Sequence, residues 1–213
     1  MKSITKKTSD DYLYAKMATW TLPLENVRSE LLRRNVIIHS MVLYRRECLA
    51  KIRPYRPEFE LAHDYDLFLR IADHYDVSNL PHILSRVRIR PSSLTATKFV
   101  RQYYYAAVAR RYARERAVAG TDPVERGQSI PPPTSAKLHR EFRPEDWEEV
   151  FQHYLRWGEL CLDQGVRSAA RKFFQRAIRF RPLSSKGWKL WLRTLLPSSQ
   201  IERLVRWRHK SRF

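Results

Sequence analysis

Cysteine is scarce: Cys48 and Cys161 are the only two in 213 residues. They lie far apart and outside any Cys-x-x-Cys spacing, which argues against a disulfide scaffold or a thiolate zinc site and fits a reducing compartment. Long apolar runs are absent as well, and no stretch reaches the ~18 residues that a membrane-spanning helix needs. The opening "MKSITKKTSDDYLY" is basic but runs into no apolar signal core. Together these absences predict a cytoplasmic protein. Acidic residues are also in deficit, with Asp+Glu 22 against Lys+Arg 41 and a net charge of +19. Such a surface attracts polyanions, whether nucleic acid, acidic lipid head groups or phosphate-bearing substrates, without choosing among them. Arginine supplies planar, phosphate-matching donors in quantity.

What is present suits a packed core: 43% hydrophobic and 12% aromatic residues. The chain breaks near its middle at "GTDPVERGQSIPPPTSAK", where a Pro-Pro-Pro run can neither continue a helix nor join a central strand. Residues 121–140 therefore read as a linker between a mixed region, 1–120, and a helical region, 141–213.

In the first region "VRSELLRR" (27–34) has helical spacing, with Val27, Leu31 and Leu32 on one face. "NVIIHSMVLYRREC" (35–48) is rich in β-branched and apolar residues and predicts a buried strand. "YDLFLRIADHY" (65–75) reads as a helix through Leu67/Ile71 and Phe68/Ala72, with Asp66 and Arg70 able to pair on another face. "VSNLPHILSRVRIR" (77–90) predicts a short strand, a break at Pro81 and a second extended run. "TATKFVRQYYYAAVARRYARERAVA" (95–119) predicts a long basic amphipathic helix. This order of elements suggests an α/β fold.

Asp64-Tyr65-Asp66 is the sharpest local motif. A metal-binding Asp-x-Asp belongs at the end of an apolar strand, whereas this one follows "RPYRPEFELAH", an irregular loop, and opens a helix. Two readings remain on the residues alone: Asp64 caps the helix while Asp66 pairs with Arg70, or Asp64 is a catalytic carboxylate. His63, His74 and His82 show no metal-ligand spacing on one helix face, so no metal is assigned to them.

The segment "NVIIHSMVLYRRECLAKIRPYRPEFELAHDYDLFLRIADHYDVSNLPHILSRVRIRPSSLT" (35–95) resembles the acceptor-side, C-terminal part of a family 2 glycosyltransferase catalytic domain. That family runs from a strand with a His-Ser-like pair through an Arg-Arg-like turn to Glu-Asp-Tyr-Asp-Leu-x-Leu-Arg, Asn-Leu-Pro and Leu-x-x-Tyr-Arg-x-His-Pro. The resemblance implies an incomplete GT-A-like, Rossmann-related α/β fold and, at Asp64, the general base. His63 stands where the family has Glu, Val87 where tyrosine is common and Arg90 where His is common. His39 matches the family's strand histidine, with a buried structural role as the alternative. Arg88 and Arg90 are candidates to neutralise diphosphate charge, or else form a solvated strand end. The implied reaction is inverting transfer from a nucleotide sugar to a glycan or lipid-linked acceptor. A divalent metal, Mg or Mn, is implied too, but its Asp-x-Asp strand and the nucleotide-binding half have no counterpart before residue 35. A second chain supplying that half is therefore an expected partner.

In the helical region Gly158, Gly165, Ala170, Phe174, Ala177 and Pro182 have the spacing of a tetratricopeptide repeat, which the segment resembles. Plain hairpin core and a peptide-binding surface are equally open readings. "IERLVRWRHKSRF" (201–213) combines arginine, tryptophan and leucine, as would a peripheral anchor on an anionic membrane or a solvated tail. Two other functions compete with sugar transfer. Nucleic-acid binding is suggested by the charge and by aromatics interleaved with arginine in 101–116, though without a recognised motif. A non-enzymatic interaction protein is suggested by the repeat-like helices.

Overall fold

A computed structural model of the chain describes residues 3–5, 13–16, 24–80 and 86–195. It divides into two compact units, Met1–Phe142 and Arg143–Phe213. The break expected at Pro81 and the basic tail 201–213 lie outside the described residues. No helix among the described residues is long and apolar enough to cross a membrane.

The first unit is built on helices: α1 (Leu24–Leu31), α2 (His63–Ala72), the single turn α3 (Leu94–Thr97), α4 (Phe99–Ala119) and α5 (Ser135–Glu141). Three short strands, β1 (Ser3–Thr5), β2 (Leu13–Lys16) and β3 (Arg86–Ile89), are described by backbone alone. Their order is β1-β2-β3 and both pairings are antiparallel, with Thr5 opposite Tyr14 and Tyr14 opposite Arg88.

This overturns the expected α/β, GT-A-like fold. A Rossmann-related sheet needs parallel strands joined by helical crossovers, and none occurs among the described residues. The predicted strand at 35–48 is instead two 3-10 turns, His39–Met41 and Arg46–Leu49, joined by extended backbone. The reason is local and tertiary together. The Asn35 side chain accepts from the Ile37 amide at 3.1 Å and turns the chain at the outset. No neighbouring strand then claims the run: Val36, Ile37 and Ile38 are only half-buried, and Leu43 is fully exposed.

The expected helices form, with altered burial. Val27 and Leu31 are fully buried on α1. On α2 every residue from Tyr65 to Ala72 is buried, so the Asp66/Arg70 face lies inside rather than on the surface. The long helix predicted over 95–119 breaks at Lys98: α3 starts under a Ser93 side-chain cap that accepts from the Ala96 amide (3.2 Å) and ends at Lys98. Gly120 ends α4 in the left-handed conformation, φ 74°, as a C′ glycine does. Contrary to the expected amphipathic pattern, Arg110 of α4 is buried, its guanidinium 5.2 Å from the Tyr103 ring centre. The Tyr65 hydroxyl donates to the Leu31 carbonyl and ties α2 to α1; burial pushes its phenol up to about 12, against the pull of Arg110 and Arg114.

The second unit is a helical hairpin, α6 (Pro144–Asp163) and α7 (Arg167–Phe180), followed by α8 (Ser185–Arg193). Gly165, φ 76°, makes the turn between α6 and α7. Val150, Phe151, Tyr154, Leu155, Gly158 and Cys161 line the inner face of α6, and Ala170, Phe173, Phe174 and Ala177 that of α7. The approach is close: a Cβ added at Gly158 would lie 2.3 Å from Cε1 of Phe174. The Pro182 carbonyl accepts from the Trp188 indole at 2.7 Å, fastening the turn into α8.

Candidate functional site

The chain enters α2 under backbone strain. Leu61 has φ 62°, the only non-glycine with positive φ among the described residues. For a branched side chain that conformation costs on the order of 1 kcal/mol or more and persists only where surroundings enforce it. Ala62 is the N-cap and makes no side-chain hydrogen bond, so Asp64 does not cap the helix. It lies in the first turn, half-buried, and one carboxylate oxygen, Oδ1, accepts from the Tyr65 amide at 2.8 Å. Oδ2 makes no hydrogen bond among the described residues.

The turn at 39–41 and the loop at 54–57 bring two rings, His39 and Tyr55, to the His63 ring at this helix start. His39 Nε2 and the Tyr55 hydroxyl are 2.9 Å apart. The His63 ring stands edge-on to Tyr55 at 5.3 Å and to His39 at 5.7 Å, and Phe68 backs His39 at 6.3 Å. Burial, then the neighbouring Tyr44 hydroxyl, and finally the charge of Asp64 raise the Tyr55 phenol above its ordinary value. Asp64 therefore acts electrostatically on Tyr55, and the corner holds a carboxylate, two imidazoles and a phenol open to solvent on the His39 and Tyr55 side. Such a set can accept a proton and hydrogen-bond a polyhydroxylated molecule.

Of the sequence-derived candidates the structure brings together Asp64, His63 and His39. His39 is exposed, which removes the buried structural role. Arg90 is exposed just after β3, and for Arg88 only the backbone is described. Tyr55 and Tyr44 carried no sequence signal beyond their place in irregular loops. Their membership follows from a fold-back that no local pattern announces.

Asp66, two residues on, faces the interior and belongs to a different structure. It accepts from Arg56 Nε at 2.9 Å and from Arg70 Nε at 3.0 Å. Arg56 also reaches Asp122 with Nη1, at 3.1 and 2.9 Å to its two oxygens. Arg116 then bridges Asp122 (2.6 Å) and Asp73 (3.0 Å). Arg56 is 2% exposed and Asp66 and Asp122 are fully buried, so charge is compensated inside the unit. Burial opposes the Arg56 charge, but the Asp66 hydrogen bond and the charges of Asp66 and Asp122 outweigh it and raise its pKa. Burial wins at Arg70, which is lowered despite Asp66. Burial also works against the Asp122 carboxylate, yet the Glu125 amide, Arg116 and Arg56 together hold it below the ordinary carboxylate range.

With Asp66 committed to two arginines, the Asp64/Asp66 pair offers no bidentate cation site. No group of three or more metal-ligating side chains forms among the described residues. Among the described residues, therefore, none forms a ligand set for the divalent metal that the sequence resemblance implies. Of the four tyrosines of the arginine-interleaved helix, Tyr104, Tyr105 and Tyr112 are buried and Tyr103 is half-buried. No protein-family model, curated protein or solved structure matches the chain.

Proposed function

We propose that the chain supplies the acceptor-side part of a sugar-transfer site, with Asp64 as general base. The supporting observation is the cluster of His39, His63 and Tyr55 at a strained helix start, with Asp64 next to His63 in the first turn and its charge felt at Tyr55, within the segment that resembles family 2 glycosyltransferases. An acceptor hydroxyl lies against Asp64 and gives its proton to the carboxylate. Its oxygen forms the new bond to the anomeric carbon of a nucleotide sugar. The bond from that carbon to the diphosphate breaks, and the nucleoside diphosphate leaves with the electron pair. His39, His63 and Tyr55 hold the acceptor's remaining hydroxyls. The acceptor is a glycan or lipid-linked sugar, and a second chain contributes the nucleotide-binding half. Work at a cytoplasmic membrane face fits the net charge of +19.

Transfer from a panel of nucleotide sugars, measured with the chain alone and with adjacent gene products, tests the reading. Asp64→Asn is expected to lower the rate by about 10²–10⁴-fold. Unfolding free energy should move by less than about 0.5 kcal/mol. An Asp64→Asn protein transferring at the wild-type rate removes Asp64 as base.

A further inference from the structure

At the opposite end of α2 the first unit forms an open, solvent-connected pocket of about 560 Å3. That is the size range of pockets that hold small molecules, and its lining is cationic. Arg28, Lys51, Arg53 and Arg116 contribute to the wall with His74, against Asp73 and Glu125. Arg116 is decisive. Its side chain is 8% exposed, Nε is bonded to Asp73 and Nη1 to Asp122, and Nη2, just beneath the pocket surface, has no hydrogen-bond partner, so a small shift of the guanidinium would present it to an occupant. A buried guanidinium donor left unmet is costly, and folded proteins rarely retain one without a ligand, ion or water to satisfy it.

Cations remain in slight excess: Arg28, Arg53, Arg56, Arg70, Arg116 and Lys51 face Asp66, Asp73, Asp122, Glu58 and Glu125. Lys51, exposed at the cavity, makes no ion pair among the described residues; its ammonium lies 5.9 Å from the Tyr75 ring centre. Arg28, 60% exposed, pairs with Asp73 at 3.5 Å, and Arg53, 63% exposed, with Glu58 at 3.7 Å; such solvent-screened pairs are weak enough to be exchanged for an occupant.

We infer that this cavity binds a phosphoryl oxyanion, with Arg116 at its base and Arg28, Lys51 and Arg53 as mobile arms. Guanidinium edges match phosphoryl oxygens in spacing and plane, and lysine adds a point charge. The source is either free inorganic phosphate or the diphosphate of a nucleotide. Asp64 does not line this cavity, so the inference stands apart from the sugar-transfer reading.

Calorimetric titration of the full chain with inorganic phosphate, pyrophosphate and a nucleoside diphosphate, each at low and moderate salt, tests it. Saturable one-to-one binding of at least one probe is expected. Tightest binding of phosphate points to the free ion, and tightest binding of the nucleoside diphosphate to a nucleotide. Lys51→Ala with Arg53→Ala, both exposed and with side chains that do not pair with the buried carboxylates, should weaken binding at least tenfold. Arg179→Ala with Lys189→Ala, exposed cations of the second unit, should leave it unchanged. Absence of saturable binding, equal weakening by both pairs, or indifference to the first pair overturns the site. Asp64→Asn should bind phosphate as wild type does, so loss of transfer with intact phosphate binding counts against the base alone.

Discussion

The two units are held together by opposite means. The first buries charge: Arg56 joins Asp66, ten residues away, to Asp122, sixty-six away. The second packs mainly through apolar contact, with the Phe174 ring lying over Gly158 and Tyr154 stacked on Phe180 at 5.8 Å, and Asp146, His153 and Thr194 as its buried polar residues. A buried ion-pair network enforces one arrangement of loop and helix because any other leaves a charge unpaired, at a cost of several kcal/mol. A close-packed hairpin enforces its geometry through volume alone.

Breaking the network should give the largest effect. Asp122→Asn deprives both Arg56 and Arg116 of a counter-charge, and the first unit is expected to lose about 3–5 kcal/mol. Hydrogen exchange in α2 and α4 should rise while α6 and α7 stay protected; a loss under about 1 kcal/mol would show that solvent already compensates these groups. Next comes the hairpin. Gly158→Ala drives a methyl into the Phe174 ring and should cost the second unit about 1–3 kcal/mol. Adding Phe174→Leu should return part of that loss, and a strictly additive double variant would contradict direct contact.

Acid gives the smallest and most selective contrast. The folded Asp122 carboxyl is depressed, so its stabilisation is fully present above its unfolded value of about 3.9 and disappears as pH falls through the lower folded value. Below about pH 4 the wild-type first unit should therefore lose stability more steeply than the Asp122→Asn variant. Parallel acid curves would mean that Asp122 does not carry this dependence.

Legibility followed the same divide. The hairpin was readable because its determinants are local: apolar residues recur at helical spacing, small residues mark the close approach, and Gly165 and Pro182 punctuate it. α1, α2 and α4 were readable for the same reason, to within a few residues. The strand expected at 35–48 failed because β-branched composition reports only fitness for a pleated surface. Whether a neighbour exists to pair with is a tertiary fact. Asp66 with Arg70 was visible as an i, i+4 pair, but its burial depended on Arg56 and Asp122, which no spacing connects.

The residues alone determined where α1, α2, α4 and the hairpin helices form, that basic residues outnumber acidic ones, and that Asp64 opens a helix. Only the tertiary structure decided that Asp64 and Asp66 part company. Two positions on a helix differ by about 200° in direction, so folding placed one carboxylate beside His39, His63 and Tyr55 and committed the other to buried arginines. The same long-range packing left Arg116 with an unmet donor at a cationic cavity, because a guanidinium's partners come from whatever segments the fold brings to it.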